Sequence, residues 1–203
     1  MYNPAIHHRR SVRLRGYDYS APGEYYVTIC VEGYNRLLGR VELGQMIQNE
    51  AARRVEQAWE RIPRRFPATE LDEHIVMPNH FHGILRITEG APVVGPESGD
   101  KQGAHKGRPY AGNPSLGEMV GAFKSITTDG YIRGVREEGW PRFDQEFWQR
   151  SFYEHIIRNE VELERIREYI RRNPLMWAVD RYNPERGFPV VDEEGRVVPW
   201  EES

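Results

Sequence analysis

Short alternating or β-branched runs and longer stretches of helical periodicity divide the chain into strands and helices, with proline and glycine at the joints. After the turn signal Ala21-Pro22-Gly23, the run Tyr25-Tyr26-Val27-Thr28-Ile29-Cys30-Val31 reads as a central strand. Residues 37–43 read as short and irregular. Ala51, Val55, Ala58, Trp59 and Ile62 fall on one stripe, which predicts a helix over 47–62 punctuated by Pro63 and Pro67. A strand over 71–77, a Pro78-Asn79 turn and a returning strand over 80–87 follow. Ser115 and Glu118 form a capping box for a helix that carries Leu116, Met119, Val120, Phe123 and Ile126 on its apolar face. Past the break at Gly139-Trp140-Pro141, residues 147–157 predict an aromatic-rich strand. A second capping box, Asn159-Glu160-Val161-Glu162, opens a last helix with the stripe Leu163, Ile166, Ile170, closed by Asn173-Pro174. The order β-α-β-β-α-β-α fits a ferredoxin-like α+β sandwich, an antiparallel sheet with helices on one face and the last helix free to lie on the other.

Two segments stand apart from this pattern. Residues 88–114 hold six glycines and four prolines and read as a flexible loop outside a packed core. Residues 183–203 hold six acids against two arginines, a balance of −4, so the other 182 residues sum to +1 within a net charge of −3. The expected division is one domain over 1–182 and an acidic tail over 183–203. A hydrophobic content of 38% suffices for a core, and no apolar run reaches the length of a membrane span. The N-terminus carries no hydrophobic region after His7-His8-Arg9-Arg10, and one cysteine, Cys30, excludes an internal disulfide and a Cys-based zinc knuckle. A cytoplasmic protein is expected.

His80-Phe81-His82 is the first chemical candidate. Residues i and i+2 of a strand share a face, so the two imidazoles project together while Phe81 turns into the core. On spacing alone the pair suits either a divalent-metal site or a surface strand that happens to carry two histidines. On the last helix, Tyr169 and Asn173 lie one turn apart on one face. A helix over the open face of the sheet would bring two imidazoles, an amide oxygen and a phenol together, a set suited to metal-assisted phosphoryl transfer with tyrosine as nucleophile. Hard amide oxygen and the absence of a cysteine cluster favour Mg²⁺ or Mn²⁺ over structural Zn²⁺. Near the N-terminus, Arg9, Arg10, Arg13 and Arg15, followed by Tyr17 and Tyr19, combine charge for phosphate with rings for bases, and suit equally a strand with a wet, basic side.

These stretches resemble the single-tyrosine HUH transposases. His80-Phe81-His82 is similar to their paired-histidine motif and Glu168-Tyr169-Ile170-Arg171-Arg172-Asn173-Pro174 to their tyrosine helix. The subgroup of REP-associated tyrosine transposases is resembled further in 10–20, in Val76-Met77-Pro78-Asn79-His80, in Phe123-Lys124-Ser125 and in 152–159, so that the likeness spans about 7–177. It implies that His80 and His82 hold the metal and that Tyr169 forms a 5′-phosphotyrosine linkage, leaving a free 3′-OH. Asn173 stands where insertion-sequence relatives carry glutamine as a further ligand, and His155 is its rival. Implied substrates are single-stranded DNA hairpins of REP-like repeats, with Arg13, Arg15 and Lys124 as candidate backbone contacts, in a monomer or a homodimer. Two other readings are a non-catalytic single-strand-binding module and an HxH metal-dependent phosphoesterase that uses water.

Overall fold

A computed structural model describes residues 14, 16–89 and 114–186. The candidate contacts Arg13 and Arg15, the interior of the 88–114 loop and all but the first residues of the acidic tail lie outside the described residues.

Four strands form the main sheet: β1 (Gly23–Cys30), β4 (Thr69–Val76), β5 (His80–Ile87) and β6 (Tyr153–Ile157), in the spatial order β4-β5-β1-β6 with every neighbour antiparallel. This is the ferredoxin-like α+β arrangement expected from the element order. Helices α1 (Glu50–Glu60), followed by the single turn α2 (Ile62–Arg65), and α3 (Leu116–Glu137) cover one face of the sheet, and α4 (Glu160–Arg172) covers the other.

Alternation along β5 divides the two cores. Phe81 faces α1 and α3, with its ring centroid 4.7 Å from that of Trp59 and 5.2 Å from that of Phe123. Ile84 faces the other way and packs with Tyr26, Ile157, Leu163, Ile166 and Ile170. The stripe at 163, 166 and 170 is what holds α4 on the sheet, each side chain contributing about 1.5–3 kcal/mol of apolar burial. The outer edge of α4 is tied to β4 by a two-pronged pair, Arg167 Nη2 to Asp72 Oδ2 at 2.6 Å and Arg167 Nε to Asp72 Oδ1 at 3.0 Å. Gly83 lets Trp59 cross β5 closely: a Cβ there would sit 2.7 Å from Trp59 Cζ2 and 2.8 Å from Phe81 Cε1. Gly83→Ala should therefore destabilise the fold by about 1–3 kcal/mol through overpacking. Urea unfolding would check this, and an unchanged midpoint would mean that Trp59 moves aside without cost.

Several local expectations are corrected. Residues 37–43 are not irregular: β2 (Gly39–Glu42) and β3 (Gln45–Gln48) form a hairpin, turned by Leu43 and Gly44 at φ 50° and 74°. Positive φ at both turn residues matches the twist of the strands, and leucine is an unusual choice there, which hides the turn from sequence reading. The helix expected from 47 starts at Glu50, because Asn49 Oδ1 accepts from Ala52 N at 2.9 Å and caps it. Only residues from Tyr153 on form a strand in the 147–157 stretch. Phe147 and Trp148 instead lie buried in the helix-side core, where Trp148 Nε1 donates to Thr127 Oγ1 at 2.8 Å. Ile126 is 44% exposed rather than part of the apolar face of α3. The Ser115/Glu118 capping box is complete, whereas at α4 only Asn159 caps, since the Glu162 carboxylate turns to Arg158 N and His155.

Candidate functional site

The face of the sheet beneath α4 carries the site. Antiparallel register sets His80 opposite Cys30 and His82 opposite Thr28, with Tyr26 one diagonal step further. Both imidazoles are fully buried, their centroids 4.6 Å apart. Each has its Nδ1 engaged on the protein side. His80 Nδ1 lies 2.9 Å from Asn79 Oδ1, and the amide is oriented because Asn79 Nδ2 donates to the carbonyls of Tyr34 and Tyr182. His80 Nδ1 therefore donates, leaving Nε2 as a bare lone pair. His82 Nδ1 lies 2.9 Å from Thr28 Oγ1 and 2.7 Å from the Tyr26 hydroxyl, while Thr28 donates to Tyr26. Such partners select the tautomer and aim the opposite nitrogen outward.

Tyr169 and Asn173 arrive from α4. The Tyr169 ring lies 5.3 Å from that of His82 and 6.3 Å from that of Tyr26. Asn173 is the C-cap of α4 and is buried. Its amide faces both His80 and Tyr169, easing protonation of the one and ionisation of the other, as expected if the oxygen turns to the imidazole and the NH₂ to the phenol. Among the described residues, His80 Nε2, His82 Nε2 and Asn173 Oδ1 are buried without a hydrogen-bond partner of normal geometry. Three orphaned donors of a lone pair, clustered under one helix, are what a cation site requires before the ion is bound.

That donor set fits a divalent ion such as Mg²⁺ or Mn²⁺. Beside the two imidazoles, the buried acceptor left without a partner on α4 is the Asn173 amide oxygen. Cys30, opposite His80, is kept as a neutral thiol by burial, which pushes its pKa up to about 12. The rival ligand His155 lies on β6 opposite Tyr26 with its Nε2 2.7 Å from Glu162 Oε1. Lys124 is not brought to the site: it lies on α3, on the far face of the sheet, and donates to the carbonyls of Gln149 and Arg150.

Residues after the tyrosine helix close the site, and sequence reading assigned them no part in it. The Tyr182 ring stands 4.7 Å from that of His80, Trp177 stacks on His80 at 6.1 Å, and the Asp180 carboxylate reaches within 4.0 Å of His80 Nε2. Arg181 donates to the Tyr182 hydroxyl at 2.6 Å. This segment is anchored by Arg36, which donates to Asn183 Oδ1 at 3.1 Å and pairs with Glu185 at 2.6 Å. Burial raises the pKa of Tyr169 above the ordinary phenol range, with the Asp180 charge adding to the effect, and raises that of Tyr182 to about 12. Burial also raises the pKa of Asp180.

Desolvation lowers the His80 pKa to about 3, and holds His82 well below the ordinary value as well. In the unfolded chain both rings titrate near pH ~6.5. Between those limits the unfolded chain binds more protons than the folded one, so stability is lost as pH falls through the unfolded value. The Tm of the metal-free protein should thus drop between about pH 7.5 and about pH 5, and less steeply in a His80→Gln/His82→Gln variant. Equal slopes in the two proteins would show that the pair takes up protons as freely folded as unfolded.

An antiparallel ferredoxin-like sheet with a buried histidine pair under a tyrosine-bearing helix defines the class of this protein. No protein-family model matches the sequence. The chain belongs to the same family as an uncharacterized protein of Haemophilus influenzae Rd, to which it is 39% identical over 184 residues, or 89% of this chain and 96% of that protein. Its fold is shared with a solved REP-associated tyrosine transposase bound to a REP hairpin, at a TM-score of 0.50 and 18% identity, over 80% of this chain and 72% of that one. Among the described residues no helix is long and apolar enough to cross a membrane.

Proposed function

We propose that the chain is a transposase-like endonuclease and strand transferase, acting on single-stranded, hairpin-forming repeat DNA with a divalent metal ion and a tyrosine nucleophile. The observation that carries this reading is the convergence of three buried, unpartnered atoms, His80 Nε2, His82 Nε2 and Asn173 Oδ1, beside Tyr169. The fold shared with a transposase solved on a REP hairpin supports the class of DNA.

His80 and His82 would hold the ion through Nε2, and Asn173 through Oδ1. A bound Mg²⁺ or Mn²⁺ would withdraw charge from the scissile phosphate and ease attack on phosphorus. Asn79, Thr28 and Tyr26 keep the imidazoles in the orientation that the ion needs. Tyr169 is the nucleophile. Its oxygen bonds to phosphorus as the bond to the 3′ oxygen of the preceding nucleotide breaks; the phenol gives up its proton and the departing oxygen gains one. The products are a 5′-phosphotyrosine and a free 3′-OH. Outside the site, the arm bearing Arg13 and Arg15 supplies phosphate contacts, while Tyr17 and Tyr19 pack against each other and Tyr25 on the helix side of the sheet.

The test is incubation with an end-labelled single-stranded hairpin and Mn²⁺, followed by denaturing electrophoresis and peptide mapping. A protein-linked label on the peptide containing Tyr169 is expected. Strand cleavage without a protein-linked product would favour a water-using phosphoesterase, and binding without cleavage a non-catalytic module.

A further inference from the structure

We propose that Asp180 is the anionic member of the cation site, supplying the charge that the neutral set of His80, His82 and Asn173 lacks. The proposal rests on the reading that the histidine pair holds a divalent ion.

Asp180 lies in the turn that follows Trp177–Val179, where its backbone N–H donates to Trp177 O at 3.2 Å and its carbonyl accepts from Asn183 N at 3.0 Å. Its Oδ1 accepts from Tyr182 N at 2.7 Å, and its Oδ2 faces His80 Nε2 at 4.0 Å, with the side chain 5% exposed. The His80 tautomer set by Asn79 puts the ring proton on Nδ1, so what faces the carboxylate is a lone pair. Two acceptors turned toward each other in a buried site, too far apart to share a proton, leave room for a cation between them. The spacing suits this. Two donors each about 2.1 Å from one ion stand between about 3 Å and about 4.2 Å apart, from adjacent to opposite positions. Charge is the second reason. Mg²⁺ and Mn²⁺ are hard cations for which carboxylate is the usual protein donor, and two imidazoles with one amide leave the full double charge uncompensated. A purely architectural role would need only the oxygen that accepts from Tyr182 N, which an amide or a hydroxyl provides equally well.

Mn²⁺ binding to the DNA-free protein is the measurement, read from the free-ion electron paramagnetic resonance signal. Asp180→Asn and Asp180→Ser both retain an oxygen for the Tyr182 N–H, so either serves if the other lowers the metal-free Tm. Each should weaken Mn²⁺ binding by about 10- to 100-fold, while hairpin binding in chelator stays at the wild-type level. Asp180→Glu, which keeps the charge, should recover most of the loss. If the neutral variants bind Mn²⁺ within about twofold of wild type while His82→Gln does not bind it, the proposal falls and the histidine-pair reading stands. If wild type fails to bind Mn²⁺, or His82→Gln binds it unchanged, the histidine-pair reading fails and takes this proposal with it.

Discussion

Replacing the hydroxyl of Tyr169 by hydrogen, Tyr169→Phe, should leave hairpin binding and folding intact while covalent protein–DNA product falls by about 10³-fold or more, the scale on which a lost nucleophile is felt. The ring packs beside His82 and Tyr26 and keeps those contacts in phenylalanine. What is lost is the oxygen that the Asn173 amide faces, a hydrogen bond worth about 0.5–1.5 kcal/mol of stability. The structure makes Tyr182 the necessary control, because its ring lies nearer to His80 than the Tyr169 ring lies to His82. Its hydroxyl is engaged by Arg181, and Tyr182→Phe should retain the adduct. Undiminished adduct in Tyr169→Phe together with its loss in Tyr182→Phe would transfer the nucleophile from the helix to the segment behind it.

His82→Gln is expected to weaken divalent-metal binding by at least about 100-fold and to remove metal-dependent strand cleavage, without loss of hairpin affinity in chelator. Glutamine is the informative replacement because both rings are fully buried. Alanine at 82 would leave the Tyr26 and Thr28 hydroxyls short of a partner, each such loss costing about 1–3 kcal/mol. Alanine at 80 would strand Asn79 Oδ1 in the same way. A failed reaction in an alanine variant could then reflect a loosened sheet, which makes calorimetric titration of Mn²⁺ into folded, DNA-free protein the decisive measurement. Wild-type affinity in His82→Gln would remove this histidine from the cation site.

Period and spacing in the sequence were enough for the frame of the site. A two-residue repeat puts His80 and His82 on one face and Phe81 on the other wherever the strand lies, and a helical turn brings Tyr169 and Asn173 together wherever the helix packs. The order of elements determined the antiparallel sheet, and the stripe at Leu163, Ile166 and Ile170 gave α4 a face to bury. The tertiary structure decided what those groups meet. Register between β5 and β1 brings Thr28 and Tyr26, more than fifty residues away in the chain, to His82 Nδ1. The amide of Asn79 is oriented by carbonyls from Tyr34 and Tyr182, at opposite ends of the chain. Asp180 and Tyr182 come to His80 through a turn beyond the last helix that has no periodicity to read. His155 and Lys124 show the converse, since the carboxylate and the carbonyls that engage them were not predictable from residue type or spacing. Local periodicity specifies the direction of a side chain relative to its own element; partners, burial and pKa depend on pairings between distant elements, which exist only once the sheet has closed and α4 has covered it.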